Sequence, residues 1–246
     1  MRTDPLPTFA YCLVADNVTF GYLKQATFPS LHMFEFEASL FFDHRFLESL
    51  SNHGYLPFKH WSLITFNTAL QETGRVIWNQ ARVTRVRFPE LTRNSTAPLN
   101  IVVQMAVAGV REVDPSESPT TRTASALSRR ADPLPFFAVE WTIDGLGNTF
   151  DVSKIDAFNL GDRASDELVL TVTPEASADL FRNWLGSGNT PRGGSLRMLD
   201  TGLEAFYTVR FAGLRVRSVI PAVTLHASTP GTVRLAYSEI RFGANK

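Results

Sequence analysis

The two halves of this chain show the same succession of sequence patterns, and this internal repeat constrains the fold more than any other feature. In each half, an apolar run with helical i, i+1, i+4 spacing is followed by a glycine, which commonly ends a helix. The spacing predicts one short helix per half, over residues 43–50 and 173–185. The repeated residues lie 134 positions apart: Phe46, Leu47, Leu50 and Gly54 in the first half, and Leu180, Phe181, Trp184 and Gly188 in the second.

Strand-like runs surround each helix in the same order. Each half opens with a strand and a polar turn, and after its helix come a β-meander and a closing strand. One helix among several strands favours a mainly β (α+β) fold or a β-barrel, and excludes the βαβ alternation of a doubly wound fold. Chance similarity of two β-rich segments is the alternative. The matched runs include residues 85–89 (RVRFP) and 217–221 (RSVIP), with Thr92 and Thr224 three residues further on.

Between the halves lies a change of composition. Residues 113–135 are rich in Ser, Thr, Pro and charge and contain almost no large apolar residue. Such a segment is typical of an exposed linker. We therefore predict domains at residues 1–113 and 136–246 with a linker at 114–135, the alternative being a long surface loop within one domain.

The end of the chain carries a further pattern. Val233, Leu235 and Tyr237 alternate with polar residues, as in a strand that buries one face, and the break before Ile240 suggests a bulge. This stretch resembles the C-terminal signature of the tail-tube superfamily, which includes the haemolysin-coregulated protein (Hcp) of type VI secretion and the tube proteins of contractile phage tails. The resemblance lies on Val216, Ser218, Val219, Thr229, Pro230, Val233, Leu235, Tyr237 and Ile240.

The resemblance covers most of the second half, residues 136–243, including a strand that enters the turn at Asp144-Gly145 and is followed by Phe150. The first half is similar to the family mainly through its likeness to the second. The resemblance implies two tandem tail-tube-like β-barrels, each with one short flanking helix. Phage tail, type VI system and extracellular injection particle remain open as the machine.

A role also follows from the resemblance. It implies a non-catalytic, ring-forming subunit of the inner tube or tube end (hub or adaptor) of a contractile injection system or phage tail. Since six barrels make the usual ring, two per chain imply a trimer with pseudo-sixfold symmetry. The implied partners are further copies of the chain and neighbouring tube, spike or baseplate proteins. The chain would be assembled in a bacterial cytoplasm and become part of a virion or secreted injection particle.

Charge and composition exclude several other partners. The chain has 24 basic and 24 acidic residues, and neither half has the basic excess that would attract nucleic acid or an anionic membrane. No stretch approaches the ~18 apolar residues of a membrane span. We therefore expect no membrane association and no direct sequence-specific nucleic-acid binding. The single cysteine, Cys12, lies in an apolar run and is interpreted as a buried, inert thiol.

Motifs of catalysis, cofactor binding and metal binding are lacking. Residues 145–150 begin like a dinucleotide fingerprint, but the third glycine is missing, and a hairpin turn explains them better. The spacing of His44, His53 and His60 is too wide for a metal site on one element. Asp162, Asp166 and Glu167 are interpreted as a solvated loop. We therefore predict no enzyme, and neither catalytic, cofactor-binding nor metal-binding residues.

Two other classes of function stay open. A β-sandwich could use aromatic side chains to hold a carbohydrate or protein ligand, which would make the chain a ligand- or carbohydrate-binding module. A hydrolase could assemble its site from distant positions. The tryptophans that such a binding module could use are Trp61, Trp78, Trp141 and Trp184.

Contact segments for a ring are expected where the halves differ most. Matched segments are needed for each unit, whereas unmatched segments are free to touch neighbours. These are residues 24–33 and 151–163, which follow the opening strands, and residues 185–194, whose glycines would allow an extended arm.

Overall fold

The fold is known from a computed structural model. The structure describes residues 10–16, 18–39, 45–46, 48, 58–67, 69, 71–92, 100–114, 138–146, 151–160, 167–173, 175–199, 202, 204–220 and 231–244. It is mainly β, which confirms the predicted class. The chain divides into two compact units: unit 1 comprises Met1–Val86 and Asn100–Pro133, and unit 2 comprises Arg87–Leu99 and Leu134–Lys246.

The described strands are numbered in chain order, and one helix, α1 (Glu175–Gly186), is described along its full length. The first ten strands are β1 (Ala10–Ala15), β2 (Val18–Leu23), β3 (Gln25–Ser30), β4 (Met33–Ser39), β5 (Trp61–Phe66), β6 (Glu72–Trp78), β7 (Gln80–Arg87), β8 (Leu91–Thr92), β9 (Asn100–Ala108) and β10 (Arg111–Val113). The others are β11 (Ala138–Ile143), β12 (Asp151–Ile155), β13 (Asn159–Leu160), β14 (Glu167–Thr173), β15 (Arg192–Leu199), β16 (Ala205–Ile220), β17 (Gly231–Ala236) and β18 (Glu239–Ala244).

Unit 1 contains two runs of paired strands. One has the order β10–β6–β5–β1–β2, and the other has the order β7–β9–β4–β3. Three pairs of consecutive strands, β2–β3, β6–β7 and β9–β10, are separated by only one or two residues and pass from one run to the other. The ladder continues across these bends, because Lys24 N–H donates to Glu37 O (2.8 Å) and Asn79 N–H donates to Ala108 O (3.1 Å).

Aromatic side chains fill the core of unit 1. Trp61 and Trp78 stack with their rings 6.3 Å apart and nearly parallel. Phe46, whose backbone is helical, is fully buried and lies 5.7 Å from the ring of Phe36 and 5.6 Å from that of Phe20. The sequence predicted this burial of Phe46. The other predicted residues of the first helix, Leu47, Leu50 and Gly54, lie outside the described residues.

Unit 2 repeats the strand order of unit 1. Its main path is β11–β15–β16–β17–β14–β12–β8, and β18 pairs with the first part of β16. Pairing of β1 with β5 and of β5 with β6 corresponds to pairing of β11 with β15 and of β15 with β16. The registers agree as well, because the buried pairs Phe34–Met105 and Phe36–Val103 have counterparts in Leu168–Leu235 and Leu170–Val233.

Helix α1 packs on the sheet of unit 2. Ala178, Phe181 and Trp184 are buried, which confirms the helical face predicted for the second half, whereas Leu180 is only half-buried. The helix lies close to β17: a Cβ built on Gly231 would come within 3.2 Å of the Ala178 Cβ. Glycine at position 231 therefore permits this close packing.

Residues 87–92, which we call the strap, come from the first half of the sequence but belong to unit 2. Leu91 pairs with Ile155 across β8 and β12. The ring of Phe88 stacks between Phe158 (4.6 Å, 4°) and Phe242 (5.4 Å, 6°), and its N–H donates to Phe158 O (2.8 Å). The domain boundaries predicted from the sequence, at residues 113 and 136, placed the strap in the first domain instead.

The break between β17 and β18 differs from the predicted bulge. Two residues, Tyr237 and Ser238, lie opposite two residues of β16, Gly213 and Leu214, so neither strand has an extra residue there. The extra residue lies nearer the end of β16, because Val216 pairs with Leu235 and Ser218 pairs with Arg234, which leaves Arg217 unmatched in the ladder. At the break, Gly213 has a φ of 65° and approaches Ser238, which explains the glycine.

Candidate assembly surface

Of the three histidines considered for metal binding, His60 is among the described residues. In the part of the chain that the structure describes, no three His, Cys, Asp or Glu side chains lie close enough together to hold a metal ion. His60 is exposed, and its backbone N–H and that of Lys59 donate to the Asp16 carboxylate at 2.9 Å. These two bonds lower the pKa of Asp16. Asp16 thus fixes a turn, and His44 and His53 lie outside the described residues.

The glycine-rich segment after β11 starts as a turn. Gly145 has a φ of 75°, and Leu146 N–H donates to Ile143 O (3.1 Å). Residues 147–150 lie outside the described residues. Of the acids considered for catalysis, Glu167 pairs with Arg234 (3.2 Å), while Asp162 and Asp166 are not among the described residues.

Cys12 is a core residue, as its apolar neighbours predicted. It is fully buried beside Ile64 and Phe66. Burial raises the pKa of its thiol to about 12, so the thiol stays protonated and unreactive at neutral pH.

All four tryptophans lie in the cores of their units, with exposed fractions of 6% or less. The indole N–H of Trp184 donates to Thr190 O (2.9 Å), and the Arg192 guanidinium lies 4.9 Å from its ring centre. Sugars bind proteins by stacking on exposed aromatic faces, and these residues offer none. A shallow depression on β3, β4 and β9 holds only about 60 Å³, well below the roughly 300–1,000 Å³ of most ligand pockets.

Apolar side chains are exposed at a few places instead. Leu31 and Met33, 76% and 38% exposed, lie at the turn between β3 and β4. This turn is held in place, because Val107 N–H donates to His32 O (2.9 Å) and His32 N–H donates to the Ser30 hydroxyl (3.3 Å). The other large hydrophobic side chains that the structure describes as exposed are Leu185 (41%) and Ile220 (47%).

Strand β3 is the outermost strand of the run β7–β9–β4–β3. Among the described strands it pairs with β4 alone. Phe28 points toward the core, with its ring 4.8 Å from Phe34 and 5.8 Å from Trp78. Pro29 has no N–H, so a partner strand could bond only to the part of the edge before it. Residues 24–33, expected as a contact segment, thus combine an open strand edge with an apolar turn.

The segment expected to match it in unit 2, residues 151–163, offers no such edge. Strand β12 pairs with β14 on one side and with the strap on the other. Ile155 and Phe158 are buried. The ammonium of Lys154 lies 2.9 Å from carboxylate oxygens of both Glu90 and Asp156. The chain itself therefore occupies the contact that this segment could make.

Residues 185–194 do not form an extended arm. The Asn189 side chain accepts a hydrogen bond from Val216 N–H and donates one to Val216 O, both at 2.8 Å. Residues 192–194 are part of β15 and pair with β16. Leu185 is the large apolar side chain that this segment exposes. The segment is bound to its own unit along most of its length, which corrects the expectation of a free arm.

Among the described residues, no helix has the length and apolar character needed to cross a membrane. A scan against protein-family models gave no match. A search of curated proteins by sequence also gave none.

Proposed function

We propose that this protein is a ring-forming structural subunit of the inner tube, or of the tube end, of a contractile injection system or phage tail. The observation that carries the proposal is the repeated strand order: two units with the same pairing and the same register of buried pairs support a tandem of tail-tube-like barrels. The resemblance of the closing strands to the tail-tube signature supplies the family. The role is structural, and no catalytic group is required for it.

Each unit is proposed to be a β-barrel with one flanking helix. In unit 1 the pairs follow one another as β1, β2–β3, β4, β9–β10, β6–β7 and β5, and β5 pairs again with β1. A ladder that returns to its first strand leaves few edges open to aggregation. The strand pairs β2–β3, β6–β7 and β9–β10 bend from one run into the other, and these bends join the two runs into one closed ladder.

Three chains would complete a ring. Six barrels make the ring that the resemblance implies, and each chain supplies two. A closed ring needs a head-to-tail contact that repeats, and such a contact joins two different surfaces of each copy. The open edge of β3 and the apolar turn at Leu31 and Met33 favour an assembling subunit, because soluble monomers usually cover such edges.

Light scattering on the purified full-length chain tests the proposal. A ring of three copies has three times the 27.4 kDa mass of one chain. A particle of this mass, or of stacked multiples of it, is the expected result over a range of protein and salt concentrations. A monomer at every concentration and in every salt would contradict the proposal.

A further inference from the structure

A row of polar side chains crosses one face of the sheet in unit 2. Strands β11, β15, β16 and β18 pair side by side in that order. Side chains directly opposite one another lie on the same face of a sheet. One face carries core residues that are at most 6% exposed: Trp141, Leu196, Val209 and Phe242. The other face carries a straight row that we call the arginine row: Thr142, Ser195, Arg210 and Arg241.

The two arginines of the row lie directly opposite each other on β16 and β18, and both are exposed. Arg241 pairs with Glu239 (2.6 Å), whereas Arg210 has no ion-pair partner in the part of the chain that the structure describes. The Arg210 guanidinium lies close to Gly243, where an added Cβ would come within 3.4 Å of its Nη1. Like charges directly opposite each other destabilise a sheet. An uncompensated positive charge thus stands where the sheet itself does not favour one.

Two hydroxyl groups extend the row. Thr142 Oγ1 lies 2.7 Å from Ser195 Oγ. One of these hydroxyls donates to the other, so the accepting hydroxyl can donate its own proton to a further acceptor. Ser195 lies directly opposite Arg210. The row therefore presents a hydroxyl donor next to the N–H donors of a guanidinium, all on one face of the sheet.

Unit 1 shows that the fold does not require this row. Strands β1 and β11 begin at Ala10 and Ala138, so Thr142 corresponds to Val14. From Val14 the pairing leads to Ser62, then to Ile77 and then to Arg111. Ile77 therefore occupies the position of Arg210, and its side chain is half-buried. Since an apolar side chain suits this place in the sheet, Arg210 has a role other than holding the sheet together.

We propose that the arginine row binds a carboxylate group of an acidic partner protein. A guanidinium can donate to both oxygens of a carboxylate, and such charge-assisted bonds are stronger than neutral ones. Arg210 is the central residue of this site, because its charge is uncompensated and it lies between the Ser195 hydroxyl and Arg241. The site is separate from the contacts of the proposed ring, and the inference holds whether or not the chain forms rings.

Acidic residues beside the row favour a protein partner over a nucleic acid. Glu140 lies two residues before Thr142 on the same face and pairs with Arg197 (2.5 Å). Glu239 lies two residues before Arg241, again on the same face. These carboxylates would repel the closely spaced phosphates of a nucleic acid, which binds through many basic contacts. A protein that places one or two carboxylates on Arg210 avoids them, and such charge complementarity determines partner choice.

A labelled acidic peptide tests the site. The probe is a blocked peptide of sequence Thr-Glu-Thr-Glu-Thr, whose two carboxylates lie on one side, about 7 Å apart, when the chain is extended. Fluorescence anisotropy of the probe should rise to saturation with the full-length wild-type protein at low salt. Arg210→Ile should weaken this binding by roughly tenfold or more, the effect of losing a hydrogen-bonded charge.

Two controls accompany this measurement. Arg217→Ile removes the same charge from an exposed arginine of β16 that lies outside the row, so its affinity for the peptide should equal that of the wild type. The peptide with glutamine in place of glutamate should not bind. Because Ile77 stands at the equivalent position of unit 1, Arg210→Ile should melt at or above the wild-type temperature. A lower melting temperature would contradict the claim that the fold does not need Arg210.

The binding results decide the inference. Carboxylate-dependent binding that is lost in Arg210→Ile and kept in Arg217→Ile supports it. Equal binding by the wild type and Arg210→Ile overturns it, as does a wild type that shows no saturable binding of the peptide. A short oligothymidylate that binds the wild type more tightly than the peptide does, and loses this affinity in Arg210→Ile, overturns the protein partner in favour of a nucleic acid. Light scattering tests the ring separately.

Discussion

The substitution Phe88→Ala should destabilise unit 2, although the residue comes from the first half of the sequence. Its ring is 1% exposed and stacks between two other phenylalanines at 4.6 and 5.4 Å. Removing a buried phenylalanine costs about 3–5 kcal/mol, through lost burial and the cavity left behind. Since domains are stable by only about 5–15 kcal/mol, the loss is a large fraction of the total. The expected fall in melting temperature is roughly 10–20 °C.

Hydrogen exchange read out strand by strand is the assay, because it assigns the loss to one unit. Protection should fall in β12, β14 and β17 of unit 2 and stay unchanged in β4 and β9 of unit 1. Phe34→Ala is the matched control, since Phe34 is fully buried in unit 1 and should show the opposite pattern. A loss below about 1 kcal/mol, or one confined to unit 1, would refute the assignment of the strap to unit 2.

Three further results are expected. Trp184→Ala should cost about 3–5 kcal/mol in urea unfolding, because it empties the contact between α1 and the sheet, and an unchanged midpoint would contradict that docking. Asp16→Asn should be less stable than wild type at neutral pH. Because folding lowers the pKa of the Asp16 carboxyl, the difference in stability should shrink as the pH falls through the folded-state pKa of Asp16, and a difference independent of pH would contradict a role for the Asp16 charge. Gly213→Ala should lower the free energy of unfolding by about 1–3 kcal/mol, because Gly213 has a φ of 65° and the added Cβ would lie 2.9 Å from Ser238 Cβ. Gly74→Ala is the control in the same thermal melts and should have a mild effect, because its added Cβ would have no neighbour closer than 4.0 Å.

The local patterns of the sequence predicted the faces of several elements. Alternation of apolar residues placed Val233, Leu235 and Tyr237 on one buried face, and all three are at most 7% exposed. Helical spacing placed Phe181 and Trp184 on the packed face of α1. These predictions succeed because the periods of a strand and a helix depend only on neighbouring residues.

Pairing between distant segments was harder to predict. Phe88 follows a strand-like run, and nothing near it in the sequence shows that its ring stacks on Phe158 and Phe242. The expectation that residues 151–163 would be free for neighbours failed for the same reason, since their partner strand lies more than 50 residues earlier.

The β17–β18 break shows a second limit. The sequence indicated an irregularity at Tyr237, and its type depends on how many residues of β16 lie opposite. A bulge needs two residues against one, and this break has two against two. The count can be made only when the partner strand is known.

The central claim is that two similar barrels per chain build a ring, and electron microscopy of the purified full-length protein tests it most directly. The account predicts class averages that show closed rings of six similar lobes with threefold symmetry. Particles with the mass of a single chain and no closed rings, at concentrations well above those of the cell, would contradict it.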